Sequence, residues 1–167
     1  MLEQVSDFLS SGGKVLWFIF FSLISLCYLV LERFYYFYRI FPEKKRKVQS
    51  SWLNREDKKS WFALKIRDEE LSKLTRDMFR FVSSIKTIVL ISPLLGLLGT
   101  VTGMISIFDI LSFSGTGNPR LMASGISLAV IPTMAGLVTA LIGMYFSSYF
   151  EKKGKREKEK IVSSLKF

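Results

Sequence analysis

Thr100 and Thr133 are the side chains best suited to chemistry in this chain, because each sits in a long apolar run without a charge. A hydroxyl both donates and accepts hydrogen bonds, so two of them can order water beside a titrating acid and line a proton path. The structural reading is that each threonine bonds its own helix three or four residues back, or a neighbouring helix, for roughly 0.6 to 2 kcal/mol. Both readings stay open at this stage. Pro132 stands directly before Thr133. It has no N–H, so it leaves the carbonyl near residue 128 without its helical donor and is expected to bend the helix. A freed carbonyl beside a hydroxyl makes a polar station in an otherwise dry path. Pro93 is expected to act in the same way near the start of its own run.

An acid inside the membrane is the usual proton carrier. This chain has none at mid-depth; Glu32 lies near the end of the first run and Asp109 near the end of the second. Each reads either as a polar group at a pore mouth or as an ordinary boundary carboxylate: Glu32 paired with Arg33, Asp109 solvated at a helix end. A proton path would therefore need its acid from another subunit. There is no histidine, which excludes a histidine metal site or a histidine-based triad, and Cys27 is the lone cysteine. No zinc cluster or internal disulfide can be built from one thiol. Nor do a nucleophile, a base and an orienting group fall at recognisable spacing, so no enzyme, metal or cofactor is expected.

The elements that must position these residues are set by segregation of charge. The chain has 167 residues, is 49% hydrophobic and 23% charged, and carries a net charge of +10. Residues 15–31, 87–108 and 121–150 carry no charge. Each can cross a hydrocarbon core, for which a helix needs about 20 residues. The first is too long, and lacks the small-residue site, for a cleavable signal. The reading is an all-α membrane protein with three transmembrane helices and cytoplasmic helical extensions. In order, it expects an external N-terminal segment at 1–13, a first transmembrane helix at 14–38, and a cytoplasmic loop and helix at 39–85. A second transmembrane helix at 86–111, an external turn at 112–120, a third transmembrane helix at 121–150 and a cytoplasmic tail helix at 151–167 follow. Of 24 Lys and Arg, 14 lie between Arg39 and Lys86 and seven lie after Phe150. By the positive-inside rule both basic segments are cytoplasmic, the N-terminus is external and the C-terminus is internal. Position thus assigns the positive charge to membrane lipids rather than to nucleic acid, although Trp52 and Trp61 flank the basic loop.

Smaller features refine the picture. The aromatic run Phe34 to Tyr38 belongs at headgroup depth. Pro42 and the basic run 43–47 read as a solvated turn. Leu71, Leu74, Met78, Phe81, Ile85 and Ile88 recur at spacings of three and four, the stripe of a packed helix. This predicts one helix over 64–86 that runs unbroken into the second span. Pro93, Gly96, Gly99 and Gly103 in the second span, and Pro132, Gly136 and Ala140 in the third, are read as packing or bending devices. Gly99 to Gly103 and Gly136 to Ala140 fit the small-xxx-small spacing. So much small-residue surface predicts a ring-forming homo-oligomer.

Two motifs carry a family likeness. Pro93-Leu-Leu-Gly-Leu-Leu-Gly-Thr-Val-Thr-Gly-Met-Ile105 and Gly125-Ile-Ser-Leu-Ala-Val-Ile-Pro-Thr-Met-Ala-Gly-Leu-Val138 resemble the ExbB/TolQ/MotA proton-channel family, most closely its short ExbB-like members. The likeness runs from Ser92 to Phe150, with a weaker echo at Leu31-Glu-Arg-Phe34. It implies a homopentamer of three-span subunits in the bacterial inner membrane. Two copies of a single-span ExbD/TolR-like partner would sit in its pore and supply the membrane aspartate. Proton flow would drive a motor, with a TonB-like periplasmic transducer as a further partner, for outer-membrane transport or envelope maintenance. The family's pore threonines map onto Thr100 and Thr133. Many members carry a glutamate where this chain has Leu128, and a small or hydroxyl residue in place of Pro132. Leu128 motivates an alternative: a non-conducting accessory scaffold of such a complex. A third reading is an adaptor that binds anions or lipid through the basic loop.

Overall fold

A computed structural model describes residues 13–55, 57, 60–114 and 119–164. Among them the regular structure is entirely helical. Helix α1 (Gly13–Tyr35) passes into a π-helical turn (Tyr36–Ile40) and then α2 (Phe41–Leu53). Helices α3 (Trp61–Phe79), α4 (Val82–Ser114) and α5 (Pro119–Ser164) follow. Three stretches, Gly13–Leu53, Trp61–Ser112 and Gly125–Ser164, are long and apolar enough to cross a membrane. The external segment expected at 1–13, apart from Gly13, residues 115–118 of the expected external turn and the end of the tail at 165–167 lie outside the described residues.

The chain divides into two compact units, one of Met1–Cys27 with Lys86–Tyr145 and one of Tyr28–Ile85 with Phe146–Phe167. In the first, Val15, Leu16 and Ile19 of α1 form a buried nucleus with Phe20, Leu95, Ile131 and Ala135 packed around it. Bulky side chains point away from that nucleus: Phe18, Phe21, Leu94, Met134 and Leu141 are all more than 60% exposed. Only 17 to 24% of the most apolar windows of the three spans is buried. Surface of that kind is compatible with acyl chains or further subunits and not with water.

In the second unit aromatic rings share the core with aliphatic side chains such as Leu74, Met78 and Ile85. Phe37 and Phe150 stack at 5.9 Å, and Phe34 stacks on Tyr149 at 6.5 Å. Lys153 places its ammonium over the Phe37 ring at 5.3 Å. The tail of α5 is tied to α2 by Lys45 Nζ to Glu157 Oε2 at 2.9 Å and by Gln49 to Ser164 at 3.0 Å. The Ser60 hydroxyl caps α3 by accepting from the Phe62 amide at 3.3 Å.

Two local expectations fail for physical reasons. Residues 43–47 belong to α2 and not to a turn, because Pro42 falls in the first helical turn, where a missing N–H costs nothing. The preceding i→i+5 bond, from the Phe41 amide to the Tyr36 carbonyl, shifts the register just ahead of that proline. The helix over 64–86 is also interrupted: α3 ends at Phe79 and α4 starts at Val82. No proline or glycine stands at or near this interruption.

Candidate functional site

The seam between α4 and α5 in the first unit is built from residues with almost no side chain. A Cβ on Gly99 would lie 2.3 Å from the Pro132 Cβ, and one on Gly136 would lie 2.6 Å from the Ser92 carbonyl oxygen. A Cβ on Gly103 would meet the Ala129 Cβ at 2.7 Å. Ala140 and Pro93 are half-buried on α5 and α4. Gly96, Gly99, Gly103 and Gly136 thus lie where the two helices approach closely, with main chain against main chain at Gly96 and Gly136. Pro132 contributes its ring to the same seam.

Thr133 lies in this seam. Its hydroxyl donates to the Gly96 carbonyl of α4 at 3.0 Å. The Thr100 hydroxyl donates back to the Leu97 carbonyl of its own helix at 2.7 Å. Both side chains are half-buried, and in both the oxygen lone pairs remain to accept from water or a partner. Further hydroxyls belong to the same spans. Ser92 is fully buried, donates to the Ile88 carbonyl at 2.8 Å and lies 3.3 Å from the Ser22 hydroxyl of α1. Thr102 and Ser106 are exposed on α4, one helical turn apart, and Asp109 follows on the same face. The spacing of four between Thr102 and Ser106, and three to Asp109, was the available signal.

Glu32 is placed in the second unit. Its carboxylate takes Arg33 Nε at 2.7 Å and the second guanidinium nitrogen at 3.0 Å. Arg33 is 1% exposed, and its third nitrogen donates to the carbonyls of Asp77 at 2.8 Å and Met78 at 3.2 Å. Tyr36 and Phe81 sandwich the guanidinium, with ring centroids 4.6 and 5.1 Å away. All three guanidinium nitrogens donate, four hydrogen bonds in total, which offsets the cost of burying the arginine. Sequence reading named Arg33 only as the neighbour of Glu32. Its partners lie 44 and 45 residues away, beyond any local pattern.

No group of three or more metal-ligating acid, His or Cys side chains occurs among the described residues. At the α2–α5 contact, burial pushes the Glu157 carboxyl up, but hydrogen bonds and charge from Lys45 and Lys160 outweigh it and leave the group below the ordinary glutamate value.

Comparison with known proteins meets this geometry at the same segment. The profile described as the MotA/TolQ/ExbB proton channel family matches residues 39–163, which include both Thr100 and Thr133. A putative biopolymer transport protein ExbB-like 3 from Synechocystis sp. is 40% identical over 73 residues, covering 42% of this chain and 35% of its own length. A putative biopolymer transport protein ExbB homolog from Methanothermobacter thermautotrophicus is 37% identical over 92 residues, 55% of this chain and 31% of that one. The biopolymer transport protein exbB1 of Vibrio cholerae is 39% identical over 72 residues, 41% of this chain and 32% of that protein. The chain thus spans about a third of the length of these curated relatives. A match across most of the sequence, on a three-span helical fold with a glycine-lined seam, makes this chain a member of the MotA/TolQ/ExbB proton channel family.

Proposed function

We propose that this chain is the channel and motor subunit of an inner-membrane energy transducer driven by the proton motive force. It works as a homopentamer around two copies of a single-span ExbD/TolR-like partner, whose membrane aspartate carries the proton. Thr100 and Thr133 present hydroxyl oxygens to the path, and Thr102, Ser106 and Asp109 extend a polar face along the outer half of α4. Asp109 marks one end of this face. The N-terminus is periplasmic, the basic segments are cytoplasmic, and the work goes through a TonB-like transducer to outer-membrane transport or envelope maintenance.

The observation that carries this reading is the family match over 39–163, which holds both threonine-bearing spans. A membrane potential of 100 mV supplies about 2.3 kcal/mol per charge moved, enough for a stepwise motor. Proton uptake into vesicles that contain the chain and its partner tests the reading. Thr133→Val is expected to lower flux at least tenfold at unchanged expression, and Thr133→Ser to keep most of it. Equal flux in all three would remove Thr133 from the path.

A second reading is a non-conducting scaffold within such a complex. It is favoured by the Thr133 proton being committed to Gly96 and the Thr100 proton to Leu97. Proton-dependent work by the chain and its partner, with no other channel subunit present, would rule the scaffold out.

A further inference from the structure

Helix breaks usually trace to proline, glycine or a side chain inserted into the hydrogen-bond ladder. The break at Arg80–Phe81 has no proline or glycine within residues 70–90. Arg80 itself keeps helical dihedrals, φ −48 and ψ −49. The chain there is therefore competent to continue as helix. In an unbroken helix the Asp77 and Met78 carbonyls would accept from the amides of Phe81 and Val82. Here both carbonyls receive one guanidinium nitrogen of Arg33. The helical ladder resumes with the Ile85 amide on the Phe81 carbonyl at 3.0 Å.

The geometry around Arg33 makes this hold firm. Glu32 grips the guanidinium from the other side in a two-point fork, and Tyr36 and Phe81 cover its faces. A cation at the C-terminal end of α3 is also favoured by the helix dipole. Lys44 adds a second positive charge through its ion pair with Asp77. All of these residues lie in one compact unit.

We propose that Arg33 is a positioning residue that fixes where the helix of the second span begins: by holding the Asp77 and Met78 carbonyls it keeps a joint at residues 80–81 in a stretch that would otherwise be one helix. This role is independent of the channel reading, and its readout is local backbone structure rather than ion flux.

Amide hydrogen exchange on the full chain in lipid nanodiscs tests it. In the wild type, the Phe81 and Val82 amides should exchange at least tenfold faster than amides one turn to either side. In Arg33→Met those two amides should slow at least tenfold, because the carbonyls return to the helix. A simple loss of stability would do the opposite and speed exchange throughout residues 61–90. Arg33→Lys, whose single nitrogen cannot stand at both the Nε/Nη2 side taken by Glu32 and the Nη1 side taken by the carbonyls, should slow the same pair partway, and serves if Arg33→Met does not fold. Wild-type protection at residues 81 and 82 equal to that of their neighbours would overturn the proposal. So would unchanged or faster exchange at these amides in the variants.

Discussion

Thr133 has one proton to donate, and in the protomer it goes to the Gly96 carbonyl. Thr133→Val should therefore cost about 0.6 to 2 kcal/mol of stability, apart from any effect on flux, when unfolding is followed in detergent. Thr133→Ser should restore most of it. Gly136 sets a harder limit. A methyl group there would strike the main-chain oxygen of Ser92, which cannot rotate away, so Gly136→Ala should destabilise by about 1 to 3 kcal/mol. Gly154→Ala should cost less, because the atom it meets at 3.0 Å is the edge of the Phe79 ring. Reversal of that order in thermal melts would mean that the seam is looser than its distances imply. Small residues at intervals of four are a spacing that favours close helix contact, and the short distances at Gly96 and Gly136 agree with it. Thr102 and Ser106 went unread because an apolar run hides a hydroxyl unless its periodicity is traced.

At the scale of elements, the three long helices were legible because charge-free runs of this length have few other uses. What sequence could not give was where they stop. The carbonyls just before the interruption at residues 80–81 are held by Arg33, and the helix over 43–47 starts with Pro42 in its first turn, after a π turn. Both are tertiary or register effects that no local window contains. The contact of α2 with the tail of α5 makes a testable claim about pH. Glu157 sits below the ordinary glutamate value in the folded chain, because Lys45 and Lys160 outweigh the opposing effect of burial. A depressed folded value means that the contribution is complete above the unfolded pKa, near 4.3, and fades as pH falls through the folded one. The wild type should thus lose its stability advantage over Glu157→Gln as the pH of a melting series drops from 6 toward 3. A gap that stays constant over that range would show that the pair contributes nothing.

For the whole molecule, the outward-facing apolar residues and the lightly buried spans call for neighbours. Native mass measurement in mild detergent is expected to give five copies of the chain; a stable monomer would sink the ring. Orientation is checked by a single thiol: in a Cys27→Ser background, Lys152→Cys should react with an impermeant reagent only from the cytoplasmic side. Ring formation and orientation were inferred from small-residue surface and from the clustering of Lys and Arg, both whole-chain patterns.

The bare seam between α4 and α5 has a mechanical corollary. Ordinary interfaces absorb small displacements by letting side chains hop between rotamers. Where main chain lies against main chain, as at Gly136 and Ser92, rotamer changes supply less slack, so a displacement of one span is passed on to the other. Two spans coupled with little backlash form a stiff lever, and a lever is what a machine needs if a sub-ångström push at one ion is to become useful travel elsewhere.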